Sequence, residues 1–497
     1  MDKKITRLDK PTVILGAGPA GLTAAYELVK HGAPVSVVEK DPQYVGGIAR
    51  TVEYRGYRFD IGGHRFFSKS QEVEDLWTEL MGDEMLTRNR LSRIYYQGRY
   101  YDYPIKAMNA LRNLGPREAA LCLASYAQAK VRPHPNPRTL DTWVSNQFGE
   151  RLFRIFFKTY TEKVWGMPCS ELSADWAAQR IKGLDLATVV KSALLPKPTA
   201  TERGKVVKTL IDRFRYPRLG PGQMWERVAG YLSDAGHPIR MGEGAVRLNR
   251  SPAGLVSVET DSGATIAGSA FVSSLPIRSL VNMVYPALPA EARIAASNLR
   301  YRDFLTVALV IDQADLFPDN WVYIHDPGVK VGRLQNFKNW SPDMVPDASK
   351  TCIGLEYFCF EGDGLWSSSD DELVRLATDE LVQLGLIRPE HVLDGAVVRV
   401  PKAYPVYDDD YASHVETIRH HLEALLPNLH LVGRNGMHKY NNQDHSMMTA
   451  LIAARNVLGI DERDPWRVNG DAEYHESAVV EEDRSGRLVP RRHERAS

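Results

Sequence analysis

Three glycines near the start of the chain have the spacing of a diphosphate-binding loop. Gly16, Gly18 and Gly21 form a G-x-G-x-x-G pattern. In such a pattern the first glycine permits a tight turn, the second lets a pyrophosphate approach the backbone, and the third lets a helix pack on a strand. Glu39 follows Gly21 by 18 residues, where a carboxylate accepts hydrogen bonds from ribose hydroxyls. The residues therefore predict a dinucleotide site, and the acid disfavours a 2′-phosphate as in NADP.

The local pattern predicts the elements that position these residues. Residues 12–16 form a short apolar run, which is typical of a buried parallel strand. Residues 19–30 have the pattern of a helix, and residues 34–39 that of a second strand. Together they make a β-α-β unit of the expected length, and the N-terminus of its helix faces the negative pyrophosphate.

The rest of the chain alternates between helical and strand patterns. Residues 70–215 are mainly helical, with an aromatic amphipathic stretch at 141–160. A helix is also predicted at 446–458. Strand patterns follow in several stretches, namely 240–280, 300–312, 351–360 and 429–433.

Composition narrows the classes of function. The 62 basic and 62 acidic side chains balance, which argues against a bulk nucleic-acid or polybasic membrane role but allows a local basic pocket. The four cysteines are scattered without a C-x-x-C pair, so we predict a reduced, cytoplasmic protein with no metal site. We find no signal-peptide pattern and no apolar run near the roughly 20 residues of a transmembrane helix.

Further motifs carry a resemblance to a known family. Gly46 and Gly47 precede Arg50, residues 62–67 read Gly-Gly-His-Arg-Phe-Phe, and residues 160–166 read Tyr-Thr-Glu-Lys-Val-Trp-Gly. In this order the motifs resemble those of UDP-galactopyranose mutases, within the wider amine oxidase and protoporphyrinogen oxidase superfamily. The resemblance implies that FAD is the cofactor and that Gly46, Gly47 and Arg50 lie beside its phosphates.

The same resemblance implies roles for four residues. His64 would face the isoalloxazine ring, although Gly63 and Phe67 replace a proline and a histidine of the family motif. Trp165 would line the sugar pocket. Arg180 and Arg302 would bind the diphosphate, since guanidinium groups bind phosphate oxygens bidentately. We name His64, Arg180 and Arg302 as the catalytic candidates.

The resemblance extends to the substrate wall. Arg333 and Asn336 lie in a segment that resembles one near the mutase pocket. Residues 404–407, Tyr-Pro-Val-Tyr, resemble a segment in which a tyrosine hydroxyl reaches a phosphate. The sequence leaves open whether Tyr404 or Tyr407 has that role.

A C-terminal motif resembles the mutase segment that holds the flavin. It begins at Gly433 and Arg434. The family's aspartate position is occupied by Asn442, and the nearest acid is Asp444, so we expect a rearranged contact to the ribityl chain or phosphate.

These observations predict an α/β fold in which a Rossmann-type FAD-binding domain is interleaved with a mixed helical and β-sheet substrate domain. The FAD-binding parts are 1–70, 216–280 and 426–470. The substrate parts are a helical 71–215 and a sheet at 281–425. We expect disorder at 471–497, where aromatics are almost absent.

Two functions follow from the resemblance. The first is a nucleotide-sugar pyranose/furanose mutase, with reduced flavin N5 as nucleophile at the anomeric carbon and NAD(P)H or another donor as reductant. Its substrate would be a nucleoside-diphosphate sugar. The alternative is a net FAD-dependent oxidoreductase, such as an oxidase, dehydrogenase or desaturase. The concentration of aromatic and polar motifs disfavours a non-catalytic scaffold, and a homo-oligomeric state is open.

Overall fold

A computed structural model of the chain describes residues 9–103, 105–172, 174, 213–408 and 410–469. Its strands, in chain order, are β1 Thr12–Leu15, β2 Val35–Glu39, β3 Thr51–Tyr54, β4 Tyr57–Asp60, β5 Met85–Asn89, β6 Ser92–Tyr96, β7 Arg99–Asp102, β8 Arg213–Pro217, β9 Arg240–Met241, β10 Ala245–Ser251, β11 Gly254–Thr260, β12 Thr265–Ala267, β13 Ala270–Ser273, β14 Val284–Tyr285, β15 Tyr301–Ile311, β16 Trp321–Ile324, β17 Arg333–Asn336, β18 Thr351–Cys359, β19 Val392–Pro405 and β20 Leu429–Leu431.

The α-helices of the described residues are α1 Pro19–Lys30, α2 Gln71–Met81, α3 Ala107–Leu114, α4 Pro116–Val131, α5 Leu140–Phe148, α6 Glu150–Phe153, α7 Thr159–Trp165, α8 Gly222–Asp234, α9 Ile277–Met283, α10 Ala290–Asn298, α11 Phe337–Trp340, α12 Gly364–Ser367, α13 Asp370–Gln383, α14 Tyr411–Leu425, α15 Gly433–Gly436 and α16 Gln443–Val457. A π-helical segment, Arg154–Lys158, joins α6 to α7. No helix in this described part is long and apolar enough to cross a bilayer.

A five-stranded parallel sheet carries the glycine motif. Its order is β20-β13-β1-β2-β9, and Ile14 of β1 lies opposite Val37 of β2 and Val272 of β13. The strand β1 is buried throughout because α1 and α16 cover one face of the sheet and a second apolar cluster covers the other. Burial on both faces explains why β1 is a continuous apolar run.

A seven-stranded mixed sheet forms the second layer. Its order is β19-β15-β18-β17-β16-β6-β7, and only the β16–β6 pair is parallel. The strand β15, which lies between β19 and β18, is buried at every residue, because apolar clusters lie on both of its faces. This sheet confirms the strands predicted near 300–312 and 351–360.

Helices α3 to α7 form a separate helical region. The amphipathic stretch predicted at 141–160 is divided there, because Gly149 ends α5 with a φ of 83°. A side chain at Gly149 would begin 2.7 Å from the backbone nitrogen of Tyr126 in α4, so the break lets two helices approach closely.

The predicted α/β class is confirmed, with a Rossmann-type parallel sheet interleaved with a mixed sheet and helices. Strands of the parallel sheet come from three separate parts of the chain, near residues 12–39, 240–273 and 429–431. The numerical domain boundaries stay a prediction. The loop at 186–210 and the tail at 471–497 lie outside the described residues.

Candidate functional site

The turn from β1 into α1 forms a bare backbone cradle. Gly16 has a φ of 95°, and a Cβ on Gly21 would lie 1.9 Å from the carbonyl oxygen of Gly16. These two glycines are therefore required by the fold itself. Gly18 differs, because its φ is −78° and its Cβ would meet only the Gly47 Cα, at 3.8 Å. Its missing side chain leaves space for a ligand.

Glu39 ends β2 beside this cradle. Its carboxylate accepts hydrogen bonds from the backbone nitrogens of Ala17, at 2.6 Å, and Asp41, at 2.9 Å. Each carboxylate oxygen has further acceptor capacity, so the fixed group can also accept from a ribose diol. This position agrees with the one that the spacing predicted.

The second glycine pair packs directly on the first motif. A Cβ on Gly47 would lie 3.2 Å from the Gly18 Cα, and one on Gly46 would lie 2.9 Å from the Trp225 ring. Arg50 follows, with Nη1 3.4 Å from Asp41 and a buried Nε that has no hydrogen-bond partner among the described residues. Bare backbone, a helix N-terminus and an adjacent cation fit the diphosphate of a dinucleotide such as FAD.

A cavity adjoins the second glycine pair through Ile48 and is bounded by strands of the seven-stranded sheet. Its empty volume, including the opening to solvent, is about 1100 Å³. It is lined by Ile48, Ile61, Gly62, Gly63, His64, Arg65, Phe67, Trp77, Phe304, Trp321, Tyr323, Arg333, Gln335, Trp340, Ala403, Tyr404, Arg434, Tyr440, Asn442, Gln443 and Asp444.

One wall of the cavity consists of the segment 62–64 and the N-terminus of α16. His64 Nδ1 lies 2.9 Å from the Gly62 carbonyl oxygen, and burial, assisted by Arg434, lowers the pKa of His64 to about 4. The imidazole is therefore neutral at pH 7, and because a carbonyl only accepts, the proton sits on Nδ1. At the helix N-terminus, both polar atoms of Gln443 are buried without a partner among the described residues.

Arg333 and Gln335 of β17 are held by one acid on the neighbouring strand. Glu356 is fully buried and accepts from Arg333 Nε at 2.8 Å, from Arg333 Nη2, and from Gln335 Nε2 at 2.8 Å. A charge-assisted pair of this kind fixes the orientation of the guanidinium.

Arg434 is a second cation of the cavity lining and is held by backbone carbonyls. It donates to the carbonyl oxygens of Asn441, at 2.9 Å, and Ala403, at 3.1 Å. Its guanidinium also lies 5.1 Å from the Tyr404 ring centre and 4.9 Å from that of Tyr440. With Arg65 and Arg333 it makes three cations on the cavity wall, against the single lining acid Asp444.

Aromatic side chains supply the remaining walls. Trp321 stacks on Trp340 with ring centres 5.3 Å apart, and Tyr404 stacks on Tyr440 at 5.7 Å. Such faces pack against planar bases and against the apolar face of a sugar ring.

Six predicted residues line this cavity, namely His64, Arg333, Tyr404, Arg434, Asn442 and Asp444. Arg302 does not. Its guanidinium is buried and donates to the backbone carbonyls of Val164 at 3.0 Å, Lys163 at 3.2 Å and Phe358 at 2.8 Å. In this structure Arg302 ties α7 to β18, and its role at a diphosphate stays a prediction.

Trp165 is also away from the cavity. It is 2% exposed and packs in an apolar cluster with Leu140 and Val144. In the same motif, Lys163 donates to three backbone carbonyls at 2.6 to 3.2 Å, and Tyr160 stacks on His325 at 5.0 Å. This motif holds α7 against the seven-stranded sheet.

Asn336 and Tyr407 differ from their predicted positions as well. Asn336 is buried and donates to the Phe317 carbonyl at 3.2 Å. The Tyr407 hydroxyl accepts from the backbone nitrogen of Tyr440 at 2.6 Å. The sequence left the choice between two tyrosines open, and Tyr404 is the one that lines the cavity. Arg180 lies outside the described residues.

The sequence did not predict five further residues at or behind the cavity wall, namely Arg65, Gln335, Trp321, Trp340 and Glu356. A signal existed for Gln335, because residues two apart on a strand share a face. Arg333 and Gln335 therefore point together, whereas Asn336 points away. No sequence signal connected Glu356 with Arg333. Among the described residues, no three His, Cys, Asp or Glu side chains are grouped to hold a metal.

Comparison with known proteins gives a family match over most of the chain. Residues 19–458 match the family of flavin containing amine oxidoreductases. The match begins at the first residue of α1 and ends one residue after α16, so it covers the cradle helix and the cavity.

Curated relatives are of two kinds. The chain is 27% identical to a phytoene dehydrogenase of Streptomyces griseus over 272 residues, 50% of this chain and 51% of that protein. It is 25% identical over 175 residues to a protein of Klebsiella pneumoniae described as a probable UDP-galactopyranose mutase, 33% of this chain and 44% of that one. It is 26% identical over 170 residues to a dTDP-fucopyranose mutase of Escherichia coli, 33% and 43%. The chain spans about half the length of these relatives, or less.

Solved structures match over nearly the whole chain. A reduced UDP-galactopyranose mutase has a TM-score of 0.80 at 22% identity, covering 93% of this chain and 99% of that one. A putrescine oxidase variant has a TM-score of 0.61 at 17% identity, covering 91% and 100%. At these identities the likeness establishes the fold.

Proposed function

The chain belongs to the flavin-containing amine oxidoreductase family, and within it we propose an FAD-dependent mutase that interconverts the pyranose and furanose rings of a nucleotide sugar. The mutase relatives and the high TM-score to a reduced mutase support this proposal. The nucleotide and the sugar are left open, because the relatives act on different ones by name.

The charge of the cavity is the observation that carries the proposal. Three arginines and one acid line it. A protonated amine would be repelled there, and a hydrocarbon would desolvate the guanidinium groups without accepting a hydrogen bond from them. A diphosphate offers both charge and paired acceptors. An anionic substrate is therefore favoured over the amines and carotenoids of the oxidoreductase relatives.

Arg333 is the group best prepared for a phosphate. Glu356 accepts from its Nε and Nη2, and Nη1 donates to no group among the described residues. The fixed guanidinium can therefore offer Nη1 to a phosphate oxygen without reorganising. Arg434 and Arg65 extend the positive wall, and Trp321 and Trp340, stacked on one another, form its aromatic part.

Reduced FAD, when bound, supplies a nucleophilic N5 for the anomeric carbon, and the reaction as a whole transfers no electrons. The arginines stabilise the negative charge on the departing diphosphate. Neutral His64, with its proton on Nδ1, presents Nε2 as a hydrogen-bond acceptor beside the glycines at 62 and 63.

A ligand titration tests the charge argument. Flavin absorbance of the oxidised protein is followed during addition of UDP, dTDP or a diamine. We expect the nucleotides to bind and the diamine to cause no change. Arg333→Met should weaken nucleotide binding about tenfold or more, whereas the exposed control Arg375→Met should not. Tight diamine binding with no response to nucleotides would favour the oxidoreductase alternative.

A further inference from the structure

The helix α4 has one face on the protein and one face on solvent. On the protein side Glu118 pairs with Arg151, Ser125 Oγ accepts from the Arg151 backbone nitrogen at 3.1 Å, and Cys122 is 3% exposed. These residues recur at helical spacing and face α5 and α6. The other side of the helix has no covering element among the described residues.

Exposed apolar side chains lie on that outer side and along its two edges. Leu121 is 39% exposed, Leu123 43% and Val131 79%, and Met108 on the adjacent α3 is 63% exposed. The remaining exposed positions between them include Ala120, Ala124 and Ala127. We call these apolar residues, together with the neighbouring Arg112, Arg117 and Arg132, the α3–α4 face. An exposed apolar patch of this kind marks an interaction surface.

The α3–α4 face is also basic. Residues 102–138 contain six basic and two acidic side chains, in a chain of zero net charge. Both acids are already paired, Asp102 with Lys106 at 3.2 Å and Glu118 with Arg151. Although the net charge of the whole chain is zero, positive charge is in excess around these exposed leucines. The basic residues on the exposed rim include Arg112, Arg117 and Arg132.

We propose that the α3–α4 face docks on an anionic lipid surface. Apolar side chains flanked by Lys and Arg are the combination that lies at a membrane interface, where the cations contact lipid headgroups and the apolar groups enter the acyl boundary. A second copy of the chain fits less well. A two-fold contact would bring the same cations together with no free acid to oppose them.

This inference is independent of the proposed reaction, because none of its residues lines the cavity. It is tested with the full-length, FAD-loaded protein by co-sedimentation with vesicles of phosphatidylcholine, alone or with about a third phosphatidylglycerol. We expect sedimentation only with the anionic vesicles, weakening as salt rises. The double variants Leu121→Gln/Leu123→Gln and Arg117→Glu/Arg132→Glu should each reduce partitioning more than about tenfold.

Exposed residues elsewhere give matched controls. Ile294→Gln and Arg388→Glu should sediment as the parent does, and all variants should keep their flavin absorbance. Equal binding to both vesicles, no binding to either, or no effect of the double variants would overturn the proposal. So would a dimer in sedimentation velocity that the leucine variant abolishes, which would assign the face to a second copy. Retention on polyglutamate without vesicle binding would assign it to an acidic protein.

Discussion

Glu356 accepts hydrogen bonds from both Arg333 and Gln335. Among the described residues, it is the only group that links these two cavity side chains. Arg333 donates to its Oε2 and Gln335 donates to its Oε1. All three lie on the adjacent strands β17 and β18, where Arg333 is directly opposite Glu356. One buried carboxylate therefore sets the direction of the cation and the amide that the proposed substrate meets.

We expect Glu356→Gln to destabilise the protein by about 3 kcal/mol or more, because it leaves the Arg333 charge buried without its counter-ion. Nucleotide affinity should also fall, since the guanidinium is no longer fixed. Denaturant unfolding and nucleotide titration measure the two effects. Glu361→Gln, at an exposed carboxylate, should change stability by less than about 0.5 kcal/mol. Equal stability of Glu356→Gln and the parent would contradict the role of the pair.

Gly18→Val should fold but lose FAD. The φ of Gly18 is −78°, which any residue adopts, and its Cβ would have only one neighbour, at 3.8 Å. The new side chain therefore disturbs the ligand and leaves the fold intact. Circular dichroism should be that of the parent while the yellow colour is lost. In contrast, Gly21→Ala should unfold, because its Cβ would lie 1.9 Å from the Gly16 oxygen. A fully flavin-loaded Gly18→Val protein would disprove the cofactor site.

Substitution of the two arginines named from the family resemblance, Arg180 and Arg302, should have different effects on stability and on substrate binding. Arg302→Ala removes a donor from three backbone carbonyls in the interior or at its edge, so we expect a loss of about 2 to 4 kcal/mol in stability. If Arg180 binds the diphosphate, Arg180→Ala should raise the KM for the substrate and leave the free energy of unfolding unchanged. Thermal unfolding and steady-state kinetics distinguish the two results. If the Arg302→Ala variant were as stable as the parent but bound substrate more weakly, Arg302 would have a role in substrate binding.

The buried carboxyl of Asp60 predicts a pH dependence of stability. Burial raises the pKa of Asp60 to about 7, although hydrogen bonds from Tyr216 and Thr51 lower it. Between about pH 4 and 7 the folded protein keeps a proton on Asp60 that the unfolded chain releases. The free energy of unfolding therefore falls as the pH rises through this range.

Asp60→Asn should therefore gain stability relative to the parent as pH rises from about 4 to 7, by up to about 4 kcal/mol. Unfolding in denaturant across that range measures the difference. The exposed-site variant Asp371→Asn is the control and should follow the parent. A constant difference between Asp60→Asn and the parent at all pH values would show that the carboxyl ionises normally in the fold.

The sequence predicted features that depend on local pattern. The limits of α1 agree with the prediction, and β1, β2 and β15 differ by one or two residues, because periodicity and glycine chemistry act over short distances. The cradle at Gly16 and Gly18 and the position of Glu39 follow from the same local spacing.

Features that depend on packing between distant segments could not be predicted. Arg302 and Trp165 lie in motifs that indicate chemistry, yet the fold uses them to join α7 to the sheet and the helical core. The partnership of Arg333 with Glu356 arises from strand register, which no local pattern specifies. Asn336 lies away from the cavity lining for a simpler reason, since the alternation of a strand directs it away from the Arg333 face.

The most direct test of the proposed function is turnover by the reduced protein. The enzyme is reduced with dithionite in the absence of oxygen and incubated with UDP-, GDP- and dTDP-sugars in turn. The products are separated by chromatography, and their masses are measured by mass spectrometry. We expect an isomer of unchanged mass from at least one sugar, formed only when the flavin is reduced. Failure to form any isomer, with reduction of the oxidised flavin by an amine or a hydrocarbon substrate, would contradict the proposed function and identify a net oxidoreductase.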